Sequence, residues 1–338
     1  MTLPRILVVS LGGTITMTTS AAGGITPTLT AEHLVASVPQ LSSVASLEAL
    51  TRFSLPGASL SIQNLTEVAT LLKDRFAAGF DGAVVVQGTD TIEDTAFVLD
   101  LLTDGTHPVV VTGAMRGPQA AGADGPANIL AAVTAAADRR LAGLGVVVVL
   151  NDEIHSARWV QKSHTGLTSA FTSPGTGCIG MVSEGRVELM MTPQRDIAPV
   201  KEALQHDSRV ALVSLGLDED GRLLPVLAEL GYSGAVVEGM GAGHVPAGAA
   251  EAVARLATEM PVVLCTRVRA GRVFTKTYGF PGSEMDLIAK GAIPCGHLSA
   301  GKARLLLTLL LRSGASTDDI RQAFQPRGIA PATVSPKD

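Results

Sequence analysis

The first 150 residues alternate short continuous hydrophobic runs with amphipathic stretches. The runs predict buried strands at 6–10, 83–86, 109–112 and 145–150, and helical periodicity predicts helices at 32–38, 65–78, 92–102 and 127–137. Valine-rich runs without polar alternation are typical of parallel strands covered by helices on both faces. The alternation therefore predicts a doubly wound α/β domain.

A second, shorter α/β series follows a change of composition after Thr192-Pro193. Strands are predicted at 210–215, 234–238 and 262–266, and helices at 224–230, 247–259 and 300–313. The fold prediction is α/β with two domains, each a mainly parallel sheet flanked by helices. The N-terminal domain (1–195) is larger and flavodoxin- or Rossmann-like, a linker spans 196–209, and the smaller domain covers 210–338.

Composition narrows the function classes. Lys and Arg number 26 against 31 Asp and Glu, a net charge of −5, and aromatic residues make up 3% of the chain. Neither a basic surface nor stacking platforms for nucleic acid are indicated. The three cysteines are widely spaced and no Cys/His cluster has zinc spacing, so we expect no metal.

Targeting and cofactor signals are also weak. The GxGxxG match at 175–180 follows a proline instead of a strand, so we expect no dinucleotide there. The N-terminus lacks a signal-peptide pattern, and the aliphatic run 305–311 is too short to span a bilayer. A cytoplasmic protein without membrane or nucleic-acid partners is predicted.

Ligands of open α/β sheets bind outside the carboxyl ends of the strands. After the first strand, Gly12-Gly13-Thr14 places a hydroxyl beside exposed N–H groups, which pairs a nucleophile with oxyanion donors. The alternative is an ordinary glycine turn.

A second polar cluster, Gly88-Thr89-Asp90-Thr91, follows the strand at 83–86. It is either functional or a helix start, with Thr91 as the expected N-cap. Lys162 is either a solvated surface lysine or, if it is buried near Thr89, the acceptor of the Thr89 proton.

Together these segments resemble the bacterial L-asparaginase family of threonine amidohydrolases. The resemblance spans nearly the whole chain and is carried by Leu11-Gly12-Gly13-Thr14-Ile15, residues 87–96, Gly113-Ala114-Met115-Arg116, residues 123–128, Asn151-Asp152, Lys162 and Lys302-Ala303-Arg304.

The resemblance implies cofactor-free hydrolysis of L-asparagine to L-aspartate and ammonia. It implies Thr14 as the nucleophile that forms an acyl-enzyme, Thr89 and Lys162 as the pair that assists or activates water, and Asp90 as the ligand of the substrate α-ammonium. Backbone contacts from Gly13, Gly88 and Ala114 are implied as well. The implied assembly is a homotetramer of intimate dimers, with each site completed by the neighbouring subunit.

Several positions depart from the family pattern. The segment at 16–27, which corresponds to the family's mobile N-terminal loop, lacks the usual tyrosine. Ser59 is the expected ligand in place of a Ser-x-Asp segment, and Ala242 and His244 stand where asparagine is usual. Glu284 is predicted as the glutamate that the neighbour supplies. The alternatives are a broader amidase or glutaminase, and a catalytically weakened amino-acid sensor.

Overall fold

The chain forms two compact units, Met1–Arg195 and Asp196–Asp338. In this computed structural model the described residues are 2–13, 15, 17–19, 25–27, 29–195, 200 and 206–325, with backbone alone for 17–19 and 25–27. Most of the predicted linker at 196–209 lies outside them, as does Thr14.

The N-terminal unit alternates strands and helices before it ends in short antiparallel hairpins. Its elements are β1 (Arg5–Ser10), β2 (Met17–Thr19), β3 (Ile25–Pro27), α1 (Ala31–Ala36), β4 (Ser46–Thr51), α2 (Ile62–Ala77), β5 (Gly82–Val86), α3 (Ile92–Leu102), β6 (Val109–Thr112), α4 (Gly125–Ala136), β7 (Val146–Leu150), β8 (Glu153–Ser156), β9 (Gln161–Lys162), β10 (Phe171–Thr172), β11 (Gly180–Ser183) and β12 (Arg186–Leu189).

The main sheet has the strand order β12-β11-β8-β7-β6-β5-β1-β4. The strands from β4 to β7 are parallel, whereas β8, β11 and β12 are antiparallel. Numbered along the chain, the parallel strands have the order 2-1-3-4-5, which is the flavodoxin-like order. Its topological switch point lies between β1 and β5, where the order reverses and a crevice opens at the strand ends.

Both faces of the parallel strands are covered. Val8, Val84, Val110 and Val147 lie in one buried cluster with α4, and α3 contacts β6 and β7. Because successive strand residues point to opposite faces, fully buried strands need hydrophobic residues at every position. The valine-rich runs reflect that requirement, and the predicted α/β class with mainly parallel sheets is confirmed.

The C-terminal unit is a smaller parallel sheet, in the order β13-β14-β15-β16, with helices. Its elements are β13 (Val210–Ser214), β14 (Gly234–Gly239), α5 (Ala250–Glu259), β15 (Val262–Thr266), α6 (Glu284–Ala289), β16 (Ile293–Pro294), α7 (Ala300–Arg312) and α8 (Thr317–Phe324).

Some predicted elements differ from the observed ones. The helix expected at 224–230 is wrong, because only a 3₁₀ turn forms over Leu224–Val226. The edge strand β4 was not predicted, since its SLEALT sequence is only half-buried and carries no continuous hydrophobic run. No helix of the described ranges is long and apolar enough to cross a membrane.

Candidate active site

Two glycine-bearing loops touch at the switch point between β1 and β5. Gly13 has φ +89°, and a Cβ atom built on it would lie 2.0 Å from the backbone nitrogen of Gly88. A side chain therefore fits at Gly13 neither in conformation nor in space. The close approach brings the loop after β1 against the loop that carries Thr89 and Asp90.

A third loop, after β4, closes against the same place. The Thr91 hydroxyl donates to the carbonyl of Gly57 at 2.9 Å, and Gln87 Nε2 donates to Thr91 Oγ1 at 3.1 Å. Thr91 occupies the N-cap position of α3 but forms no side-chain capping bond, so the prediction that it caps the helix is wrong. Its hydroxyl instead links the loop after β4 to the loop after β5.

Lys162 reaches this cluster from β9, which pairs with β10 in a two-stranded hairpin. Its Nζ lies 3.0 Å from Thr89 Oγ1 and 2.9 Å from Asp90 Oδ1. Thr89 is 7% exposed, the Lys162 side chain 18% and the Asp90 side chain 67%. The structure thus brings together three of the four predicted catalytic residues, with Asp90 open to solvent.

The backbone of Lys162 is held by the same segment that meets its side chain. The carboxylate of Glu93, in the first turn of α3, accepts the Lys162 N–H at 2.5 Å. Residues 89–93 therefore contact both ends of this lysine, its ammonium and its peptide nitrogen. A charged acceptor makes this hydrogen bond stronger than a neutral one.

The loop after β6 is ordered by the Asp124 carboxylate. It accepts the backbone N–H of Met115 and of Arg116, each at 2.9 Å. Asn128 donates to the carbonyl of Gly113 at 2.9 Å and accepts the N–H of Asn151 at 3.0 Å. These two side chains fix the backbone on both sides of Ala114, which is itself buried.

The remaining predicted residues of the N-terminal unit are less engaged. Thr14 lies outside the described residues, between Gly13 and Ile15, the latter packed in the core. Ser59 is exposed on the 3₁₀ turn Gly57–Ser59, and within the described residues its hydroxyl has no hydrogen-bond partner.

Glu284 is fully buried inside the C-terminal unit. Its Oε1 accepts the N–H of Thr277 at 3.0 Å and of Tyr278 at 2.8 Å, while Oε2 lies 3.1 Å from His244 Nε2. Burial opposes ionisation of Glu284, but the hydrogen bonds from Tyr278, Thr277 and His244 outweigh it and leave its pKa below the ordinary 4.5. The carboxylate thus holds a loop and a histidine together.

Replacing Glu284 by glutamine should destabilise the protein at pH 7 by about 1–3 kcal/mol, because charged hydrogen bonds are lost. A carboxylate with a lowered pKa adds stability above its unfolded pKa and loses it as pH falls through the folded pKa. The difference in thermal stability between wild type and Glu284→Gln should therefore shrink as pH falls below about 4.5 and vanish once pH is below the lowered pKa of the folded protein. Glu259→Gln, at an exposed position, is the matched control. A stability difference between wild type and Glu284→Gln that stays constant with pH would contradict this role.

Sequence reasoning missed the structural roles of Gly57, Thr91, Glu93, Asp124 and Asn128. Asp124 and Asn128 carry a signal, since a polar pair four residues apart opens an otherwise apolar helix. Gly57 and Glu93 carry none, because their partners are 34 and 69 residues away in the chain.

The cluster offers a hydroxyl, a lysine side-chain nitrogen and a carboxylate side by side at the switch point between β1 and β5. Together they suit proton transfer and recognition of an amino group. In the part of the chain that the structure describes, no three His, Cys, Asp or Glu side chains group in a way that could hold a metal ion.

Comparison with known proteins gives a consistent result. The family described as "Asparaginase, N-terminal" matches residues 5–195, and "Glutaminase/Asparaginase C-terminal domain" matches 209–324. An L-asparaginase of Bacillus licheniformis is 33% identical over 91% of this chain and 96% of its own length. A probable L-asparaginase of Deinococcus radiodurans is 36% identical over 95% and 97%.

A solved structure adds the same likeness in three dimensions. The probable cytoplasmic L-asparaginase of Campylobacter jejuni superposes with a TM-score of 0.84 at 31% identity, covering 95% of this chain and 99% of that one. Both halves of the chain are thus accounted for by one family. The chain belongs to the asparaginase family.

Proposed function

We propose that this protein hydrolyses L-asparagine to L-aspartate and ammonia. The observation that carries the proposal is the contact of Lys162 with both Thr89 and Asp90 at the β1/β5 switch point. The names of the two relatives and of the solved structure support asparagine as the substrate.

The proposed first step is attack of the Thr14 hydroxyl on the side-chain amide of the substrate. Thr14 follows Gly13, whose backbone touches the loop of Thr89. The new C–O bond gives a tetrahedral oxyanion, and its collapse breaks the C–N bond and releases ammonia, which carries the threonine proton. Backbone N–H groups near Gly13, Gly88 and Ala114 are the proposed donors to the oxyanion.

The second step returns the enzyme to its starting state. Water attacks the aspartyl ester, its oxygen bonds to the carbonyl carbon, and the Thr14 hydroxyl is restored as the ester bond breaks. The Thr89–Lys162 pair is proposed to accept the water proton and to return it to Thr14. The exposed carboxylate of Asp90 binds the substrate α-ammonium, which suits an anion that faces solvent.

The proposed assembly is a homotetramer of intimate dimers in which a neighbour completes each site. Because the Glu284 carboxylate is enclosed in its own unit, we propose that it contributes through the groups it holds, His244 and the backbone at 277–278. The exposed Tyr278 lies on the same loop. A cytoplasmic location stays a prediction.

Ammonia release by the purified protein tests the proposal. We expect the highest kcat/KM with L-asparagine in a panel that includes L-glutamine and both D-isomers. Preference for L-glutamine would favour the glutaminase alternative. That alternative is consistent with the name of the matching C-terminal family, which includes glutaminases. Calorimetric binding of L-asparagine without turnover would favour a sensor and contradict the proposal.

Removing the Glu93 carboxylate should reduce turnover by misplacing Lys162. We expect Glu93→Ala to lower kcat for L-asparagine by roughly ten- to a hundredfold, because small displacements at a reacting centre have effects of that size. KM should change much less, since Asp90 still binds the substrate. Steady-state kinetics check this, and Glu93→Gln, which keeps an acceptor oxygen, should recover most of the rate. Equal loss in both variants would contradict the positioning role.

A further inference from the structure

The C-terminal unit contains a cavity of about 430 Å³ that the proposed reaction does not use. That volume lies within the range of small-molecule sites. Its lining comes from the loop before α6, from α6, β16 and α8. The described lining residues are Arg272, Val273, Thr275, Ile288, Ala292, Ile293, Pro294, Gly296, His297, Arg321, Phe324 and Gln325.

The buried part of the lining is apolar. Val273, Ala292, Ile293 and Phe324 are each at most 4% exposed, and they come from three separate segments that line one space. Such a surface favours a hydrocarbon or aromatic body, because burying it removes apolar area from water on both sides.

The exposed part of the lining is cationic. Arg272 and Arg321 both border the cavity, and neither guanidinium forms a hydrogen bond or ion pair with another residue in the described ranges. The described lining contains no Asp or Glu. Two unpaired cations at one cavity stand out in a chain whose net charge is −5, so they do not belong to a generally basic surface.

We propose that this cavity binds an organic anion, a carboxylate or phosphate ester attached to an apolar body. The guanidinium groups of Arg272 and Arg321 contact the anionic group, since planar guanidinium matches carboxylate and phosphate geometry. Val273, Ile293 and Phe324 contact the body. This second site shares no residue with those to which the proposed hydrolysis assigns a role.

Isothermal titration calorimetry of the full-length protein with phenyl phosphate and with benzoate tests the proposal. At least one of the two should bind, and the stronger one identifies the anionic group. Benzyl alcohol, which lacks charge, and inorganic phosphate, which lacks the body, should each bind at least tenfold more weakly. The proposal would be overturned if either control bound as tightly as the anions, or if neither phenyl phosphate nor benzoate bound.

Variants locate the binding. Arg272→Gln and Arg321→Gln should each weaken the bound anion by roughly tenfold or more, as expected for loss of a charged hydrogen bond. The exposed Arg255 on α5 gives the matched control, and Arg255→Gln should bind like wild type. Unchanged binding in both cavity variants would overturn the assignment. Ammonia release from L-asparagine, measured in parallel, separates failure of this proposal from failure of the hydrolase.

Discussion

Replacing Lys162 by methionine is expected to lower kcat for asparagine hydrolysis by roughly 10²–10⁴-fold, the range typical of a lost general acid or base. The Lys162 side chain is 18% exposed, and methionine has a side chain of similar length, so the packing around β9 should persist. What disappears is the nitrogen that contacts both Thr89 Oγ1 and Asp90 Oδ1.

Steady-state ammonia release measures this loss, and circular dichroism with thermal unfolding checks the fold. Exposed Lys73 on α2 provides the matched variant, and Lys73→Met should retain the wild-type rate. A near-normal rate in Lys162→Met would remove this lysine from the mechanism.

A larger loss is expected for Thr14→Ala, roughly 10⁴- to 10⁶-fold in kcat, as found when a catalytic nucleophile is removed. Without the hydroxyl no aspartyl ester can form, although Asp90 remains to bind the substrate. Mass spectrometry of acid-quenched protein should detect the aspartyl adduct on Thr14 during turnover of the wild type.

Binding and chemistry should separate cleanly in this variant. Calorimetry of Thr14→Ala with L-asparagine should show binding, with no ammonia released. Ammonia release at the wild-type rate, or an adduct on another residue, would show that the nucleophile has been assigned wrongly.

The sequence predicted the parts of the fold that depend on local pattern. Buried parallel strands such as β5 need hydrophobic side chains on both faces. The five residues of the strand show that requirement on their own, without knowledge of distant contacts. No such local pattern marks the half-buried β4 or the two-residue strands β9 and β10. These strands form because they pair with other strands, and the local sequence does not show that pairing.

The candidate site shows the same division. Thr89 and Asp90 follow a strand end, where ligand-binding residues of open α/β sheets are expected. The position of Lys162 depends on a contact across 73 residues, so the sequence left it open between a solvated lysine and a proton acceptor. Thr91 looked like a helix cap because the competing acceptor, Gly57, comes from a distant loop.

The segment at 16–27 lacks the tyrosine that is usual in the family. Both tyrosines of the chain, Tyr232 and Tyr278, belong to the C-terminal unit. Tyr278 packs edge-on against His244, which Glu284 contacts, so these three side chains form one connected group.

We propose that L-asparagine binds beside Lys162, Thr89 and Asp90 and is cleaved there by Thr14. The most direct test is a crystal structure of the Thr89→Val variant, which lacks the proposed water-activating hydroxyl, after soaking with L-asparagine. We expect density for substrate or aspartyl ester at the β1/β5 switch point, with the α-ammonium hydrogen-bonded to Asp90. Density for an amino acid at another place, with only water at the switch point, would contradict the proposed binding site.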